Sequence, residues 1–338
     1  MSYLMRSVIA GMFALVLAAL STVARAAAFD GKTITIIVGF GAGGGYDAYA
    51  RLAGRHFGKF VPGRPNVVIQ NKPGGSSATA AAYLYGSARK DGTELGILNS
   101  NLALAKVLGE TTPFDVTRFT FIGRLVQSIN VALVASDAPA TDVQGAMEKE
   151  VILAASGVSS ATTRIPLAFN RLMGTRFKVL RGYESSRKML HAMEQGEVHG
   201  VGGTSYDAVR RGLRHWLEAG KIRFLWATSL TRDRNLPDVP TAAELARTDE
   251  QRRVLRLLTS PSSFGRVIWG PPGLESGALR TLQEAFAAMI RDAAFLADAS
   301  KRKLEIDPAS GDEVREIMRT IADAPESLLR QARRVSEP

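Results

Sequence analysis

Gly39, Gly41, Gly43, Gly44 and Gly45 place five glycines within seven residues, directly after the β-branched run Ile34-Thr35-Ile36-Ile37-Val38 and directly before Tyr46-Asp47. Glycines at a strand-to-helix turn let backbone N–H groups close on an anion, with the positive end of a helix dipole behind them. The chemistry on offer is anion binding, and three readings compete. Gly39 to Gly44 satisfies the G-x-G-x-x-G spacing of dinucleotide folds. A plain tight turn needs the same glycines for backbone freedom alone. The third reading is a cradle for a small anionic solute. A dinucleotide fold also places an Asp or Glu about twenty residues further on to hold the ribose, and there is none from Ala48 to Lys90. That weakens the dinucleotide reading but leaves open a site that uses Lys72 or an arginine for a phosphorylated ribose.

Other chemistry has thin support. The chain carries no G-x-S-x-G elbow, no H-E-x-x-H and no P-loop lysine motif. His56, His191, His199 and His215 lack metal-ligand spacing, and cysteine is absent, which excludes disulfides and thiolate sites. No catalytic residue, metal or cofactor is therefore expected. Asp47 suits a cap on the helix that follows the glycine loop or a role in ordering that loop, either of them compatible with direct or water-mediated ligand contact. Arg164 and Arg181 fall beside other loops of the expected site, as carboxylate partners or as solvated surface residues.

Strands and helices alternate along the chain. Thr33–Val38, Asn66–Gln70 and Glu94–Leu98 read as strands, with helices over Tyr46–Phe60 and Ser76–Ser87 between them, which makes a βαβαβ unit. Ligands on such sheets bind at the carboxyl ends of the strands, where the glycine loop, Gly74-Gly75-Ser76 and Asn99 all fall. A second set follows Phe119–Val126. Asn130–Val134, Val151–Ala155, Phe177–Leu180, Val198–Val201 and Ile222–Thr228 read as strands, and Thr163–Met173, Ser185–Gln195 and Ser205–Ala219 as helices. Its loops carry Ser156 to Thr163, Gly182-Tyr183 and Gly202 to Ser205. Thr248–Leu258, Ser276–Lys303 and Gly311–Val335 read as helices of the returning chain, the last one broken near Pro325. Two rims of Gly, Ser, Thr and Asn thus suit a cleft that grips a polar ligand from both sides.

Residues 1–26 read as a cleavable export signal: Arg6, the thirteen-residue apolar run from Val8 to Leu20, then Ala24-Arg25-Ala26. The run is short for a membrane span. Removing it lowers the formal charge from +11 to +9, and a positive protein attracts anionic small molecules. Lys and Arg are dispersed rather than gathered in an aromatic-interleaved stripe, so nucleic acid is not an expected partner. The composition, 46% hydrophobic and 22% charged, is that of a globular chain.

Several short motifs recur in a fixed order: the glycine loop with its Asp, Val67-Val68-Ile69-Gln70-Asn71-Lys72-Pro73-Gly74-Gly75, Lys90-Asp91-Gly92-Thr93 and Thr112-Pro113-Phe114-Asp115. Gly174-Thr175, Gly182-Tyr183, Glu194-Gln195-Gly196-Glu197-Val198 and Leu236-Pro237-Asp238-Val239-Pro240-Thr241 follow. In this the sequence resembles the TctC or Bug family, the extracytoplasmic solute receptors of tripartite tricarboxylate transporters. The resemblance implies an α/β, two-domain flytrap, each domain a mostly parallel sheet flanked by helices. Domain 1 would comprise 27–127 and 229–338, and domain 2 would comprise 128–228. It further implies a monomeric periplasmic receptor that delivers a di-, tri- or aromatic carboxylate to membrane permease subunits. The carboxylate would be held by amides, hydroxyls and water, often without a dedicated arginine. The matching positions are Gly43, Gly44, Gly45, Tyr46, Asp47, Gly75, Ser76 and Asn99 on one side, and Ser156, Ser159, Thr162, Thr163, Tyr183, Thr204 and Ser205 on the other. Ala42 stands where the family often has Pro, Tyr46 where it has Thr, and Thr162-Thr163 where it commonly has Ser-His. Tyr46 should narrow the pocket or stack on a ligand. An NAD(P)-dependent oxidoreductase and a receptor serving a sensor kinase are the alternatives.

Overall fold

The computed structural model describes residues 29–233 and 235–337; the export signal read at 1–26 lies outside them. Eleven strands form two sheets among the described residues: β1 (Thr33–Val38), β2 (Asn66–Asn71), β3 (Glu94–Ile97), β4 (Thr120–Val126), β5 (Asn130–Ala135), β6 (Val151–Ala154), β7 (Phe177–Leu180), β8 (Gly200–Ser205), β9 (Ile222–Ala227), β10 (Arg266–Gly270) and β11 (Ala309–Ser310). The first sheet runs β11-β4-β10-β3-β1-β2 and the second β7-β6-β8-β5-β9. Three residues, Gln127 to Ile129, carry the chain from β4 in one sheet to β5 in the other.

The expected α/β organisation in two sheets is present, but the sheets are mixed rather than mostly parallel. β1 pairs in parallel with β2 and β3, whereas β10 runs antiparallel to both β3 and β4. In the second sheet β6 is parallel to β7 and β8, whereas β5 is antiparallel to β8 and β9. The reversals arise where the chain crosses between sheets. A strand arriving from the other sheet needs no βαβ crossover and is free to enter in either direction.

Strand β10 is missing from the sequence reading, which passes from the helix near Thr248–Leu258 to a helical tail. Arg266-Val267-Ile268-Trp269-Gly270 opens on a charged residue and closes on a glycine, which disguises a strand that is buried throughout and occupies the centre of its sheet. Other boundaries shift for local reasons. The expected helix Ser205–Ala219 divides at Leu213 into Tyr206–Gly212 and Arg214–Glu218. The segment Ser276–Lys303 divides where Asp292 caps a new helix, Ala293–Lys301, by accepting from the Phe295 N–H. Gly202 to Ser205, expected as a loop, instead continue β8.

Each sheet packs its aromatic residues into the core. Trp269 meets Phe119, Phe121 and Phe264 at centroid distances of 5.1–5.3 Å, and Trp226 in the second sheet lies against Phe169 and Phe177. Aromatic side chains bury a large area and favour such tilted and edge-on contacts. The helices Asp249–Thr259 and Glu326–Ser336 pack on the helix Ala161–Met173, so the returning chain braces the second sheet as well as completing the first.

Candidate functional site

The loop after β1 is built mainly by contacts within the first sheet. Gly39 has no room for a side chain, since a Cβ there would lie 2.0 Å from the Ser77 hydroxyl oxygen. That hydroxyl donates to the Gly39 carbonyl and accepts from the Asn99 N–H, both at 3.1 Å. Gly43 adopts φ +85°, in the region that favours glycine. Its N–H donates to Asp47 Oδ2 at 2.9 Å, and the same carboxylate accepts from Arg51 Nε and Asn71 Nδ2, each at 2.9 Å. Asp47 is therefore a buried loop organiser. Burial pushes its pKa upward, but the bonds from Arg51, Gly43 and Asn71 outweigh that and hold it below the ordinary aspartate range.

The depressed pKa of Asp47 makes the loop's stability depend on pH. Because the folded-state pKa is lowered, the stabilisation from Asp47 is fully present above the unfolded aspartate range, near pH 4, and is lost as the pH falls below it. Asp47→Ala leaves the Gly43 N–H without its acceptor and removes one of the two acceptors of the Asn71 amide, which keeps the Phe40 carbonyl, at a cost of about 1–3 kcal/mol at neutral pH. Urea midpoints measured from pH 7 down to pH 3 should show the variant converging on the wild type as the acid limit is approached.

The facing rim comes from the second sheet. Ser160 caps the helix Ala161–Met173 by accepting from the Thr162 N–H at 3.2 Å, and Thr162 Oγ1 in turn accepts from the Ser156 N–H at 3.0 Å. Ser205, at the end of β8, accepts from the Ala208 N–H at 3.2 Å. The two rims touch directly. The Gly41 N–H donates to the Glu184 carbonyl at 3.0 Å, and the Ser76 and Ser156 hydroxyls lie 3.1 Å apart.

Between the rims lies a narrow cavity of about 40 Å³, room for more than one water-sized group at roughly 10–15 Å³ each. From the first sheet it is lined by Gly44, Gly45, Tyr46 and Asn99 among the expected residues, and from the second by Ser156, Thr162, Thr204 and Ser205. Three helices begin at its wall, Gly45–His56, Ala161–Met173 and Ser186–Glu194. Each presents the positive end of its dipole, equivalent to roughly half an elementary charge. Among the described residues no Asp or Glu lines the cavity; the formal charge in its wall is that of Arg266. Two buried polar atoms of the wall have no hydrogen-bond partner, Thr204 Oγ1 and Arg266 Nε.

The other expected site residues stand outside the lining. Gly43 and Asp47 serve the loop as described. Gly75 and Ser76 form the strained turn before the helix Ala78–Gly86, both at positive φ; Ser76 reaches Ser156, and its carbonyl accepts from Asn99 Nδ2. Ser159 donates to Glu110 at 2.5 Å and Thr163 to the Gly157 carbonyl at 2.8 Å, so both hydroxyls are engaged in holding the rim. Tyr183 lies in a separate hollow with Arg181 and Gly182. Arg164 is buried and ion-paired to Glu110. Tyr46 stacks on Phe40, with ring centroids 4.6 Å apart, and the Arg266 guanidinium lies 5.0 Å from its centroid.

Arg266, Asn101, Asn130, Ser160 and Ser185 line the cavity without having been expected there. Ser160 and Ser185 were findable, because each precedes a helix as Ser at an N-cap. Arg266 was not, since its strand went unread. Gly45 has a purpose that also depends on Arg266: a Cβ at Gly45 would lie 2.8 Å from Ser205 Oγ and 2.9 Å from Arg266 Nη2.

Comparison with known proteins agrees with this architecture. The model of the TctC family, described as the tripartite tricarboxylate transporter family receptor, matches residues 62–330. A UPF0065 protein of Bordetella bronchiseptica is 30% identical over 240 residues, 68% of each chain. A UPF0065 protein in the gbd 5' region of Cupriavidus necator is 26% identical over 284 residues, 81% of this chain and 79% of the relative. Among solved structures, the periplasmic binding protein BugD has a TM-score of 0.71 at 18% identity, covering 92% of this chain and all of that one. Rpa4515 of R. palustris, solved with adipate, has 0.69 at 22% identity, covering 89% and 97%. These structural likenesses establish the fold. With four-fifths of its length matched by the family model, the chain belongs to the TctC family of tripartite tricarboxylate transporter receptors.

Proposed function

We propose that this protein is an exported receptor that closes on a small organic carboxylate and delivers it to the membrane permease subunits of a tripartite tricarboxylate transporter. The observation that carries the reading is the acid-free cavity between the two sheets, onto which three helix N-termini and Arg266 converge. Such a wall attracts an anion by dipole and by charge. Family membership supports the transport role, and Rpa4515 with adipate and MatC with bound malate illustrate acids held by proteins of this fold. Residues 27–127 with 229–338 would form one lobe and 128–228 the other, hinged where the chain crosses between sheets. A ligand that touches both rims favours the closed state through contacts missing when the lobes part.

The glycine loop offers little to a dinucleotide, because the Gly43 N–H is taken by Asp47 and the Gly41 N–H by Glu184. For a carboxylate, several hydrogen bonds at about 0.5–1.5 kcal/mol, or about 1.5–3 where charge-assisted, suffice for micromolar binding, about −8 kcal/mol. Calorimetric titration with mono-, di- and tricarboxylates and aromatic acids tests the reading, with micromolar or tighter binding expected for at least one. Gly44 has room for a side chain, since a Cβ there finds its nearest neighbour at 3.6 Å. Gly44→Asp therefore sets a negative charge in the cavity wall and is expected to weaken binding by about tenfold or more. Absence of heat and of any thermal shift across the panel, or full affinity in a folded Gly44→Asp protein, overturns the proposal.

A further inference from the structure

We propose that Arg266 is the direct counter-ion of the ligand and the residue that sets its charge class, so that the receptor selects acids with two anionic groups over those with one. This rests on the carboxylate-receptor reading above. Arg266 opens β10 in the centre of the first sheet and is only 2% exposed. Its Nη1 donates to Ser128 Oγ at 3.0 Å, and the rings of Tyr46 and Tyr49 lie 5.0 and 5.1 Å from the guanidinium. Its Nε has no partner, and no carboxylate among the described residues forms an ion pair with it.

The other deeply buried arginines do have partners. Arg164, equally buried, pairs with Glu110, and Arg124 pairs with Asp307 and donates to two carbonyls. A buried charge without a counter-ion is costly, so a cationic side chain held dry and unpaired at a cavity marks where an anion belongs. The nearby acids are engaged elsewhere. In the hollow that Arg266 also borders, Asp207 takes Arg210 and the Tyr49 hydroxyl, Asp307 takes Arg124, Glu305 takes Arg210 and the Asn235 amide, and Asp233 accepts from the Asn235 N–H. Arg211 lies close enough to repel Arg266, but it stands outside the cavity lining and its charge is offset by Asp207, so Arg266 is the cation that faces the ligand.

The wall therefore carries more positive potential than a single carboxylate can offset. Three helix N-termini at roughly half a charge each already suit one carboxylate, and Arg266 adds a full positive charge that this carboxylate would leave unmatched. One acid group accepted by the hydroxyls and amides around Thr204 and Gly44, with a second paired to Arg266, compensates both. A ligand lacking the second group leaves the guanidinium desolvated and unpaired, which is the kind of penalty that generates selectivity.

The test is calorimetry on the wild type, Arg266→Gln and Arg266→Lys with succinate, glutarate and adipate, each set against its monomethyl ester and the monoacid of equal length. In the wild type the preferred diacid should bind roughly 10- to 100-fold more tightly than its ester, the range of one charge-assisted bond. Arg266→Gln should lower diacid affinity by a similar factor and bring diacid and ester close together, with Arg266→Lys in between. Equal binding of diacid and ester by the wild type, or an undiminished diacid preference in Arg266→Gln, overturns the inference while leaving a carboxylate receptor in place. If no acid or ester of any kind binds, the receptor reading fails and this inference with it. Should Arg266→Gln fail to fold, the wild-type ratio and Arg266→Lys decide the matter.

Discussion

Glu110→Ala is expected to destabilise the protein by about 3 kcal/mol, at the lower end of the roughly 3–5 kcal/mol range for breaking a buried ion pair. The Glu110 carboxylate accepts from Arg164 Nη2 and from Ser159 Oγ. Arg164 side-chain exposure is 2%, while Glu110 retains 23%, and that partial access to water is why the lower end applies. Burial depresses the Arg164 pKa, with Glu110 acting in the opposite direction. Removing the acid leaves a charge in the interior whose remaining hydrogen bond among the described residues goes to the Asn101 carbonyl at 3.2 Å. Urea unfolding measures the loss. The double variant Glu110→Ala/Arg164→Leu should recover part of it, because the stranded charge is then gone. A change below about 1 kcal/mol in the single variant would show that the pair is not structural. Because Ser159 and Arg164 flank the start of the helix Ala161–Met173, carboxylate affinity should fall alongside stability.

Gly202→Ala is the second large effect. A Cβ at this position would lie 2.3 Å from the Thr162 carbonyl oxygen and 3.1 Å from Pro166 Cγ. The carbonyl is backbone, so no side-chain rotation relieves the clash. Pro166 lies inside the helix and has no N–H to donate back to Thr162, which leaves that turn open to close approach by β8. The substitution must push the helix start away from the sheet, at a cost of about 1–3 kcal/mol, and with it the hydroxyl of Thr162 at the cavity. Ligand affinity should fall by about tenfold or more, one charge-assisted bond. Gly203→Ala is the matched control. Its Cβ meets Thr162 Cγ2 at 3.5 Å, an ordinary contact, and its melting temperature should stay near that of the wild type. Equal behaviour of the two variants would refute the packing argument.

Much of the architecture was legible because it depends on short-range rules. Short apolar runs alternating with helical segments marked β1 to β3 and β5 to β9, and glycine clusters marked loops at several of their ends. The cap-like placement of Asp47 announced a local role, and it does order its loop by accepting the Gly43 N–H. The purpose of an individual glycine is less legible. Gly39 and Gly45 are small because Ser77, Ser205 and Arg266 crowd them from distant parts of the chain, and no local rule foretells such neighbours.

Strand direction was equally hidden, since β10 enters antiparallel between β3 and β4 only after the chain has traversed the other sheet. By itself, then, the sequence determined most of the elements and the loop chemistry, which follow from residue types within a few positions of one another, and the family resemblance, which follows from the order of short motifs along the chain. Only the tertiary structure decided which of the many arginines would be buried beside the cavity without a carboxylate. A charge is paired or unpaired according to its neighbours in space, and Arg266 meets Tyr46 and Ser128 across separations of 220 and 138 residues.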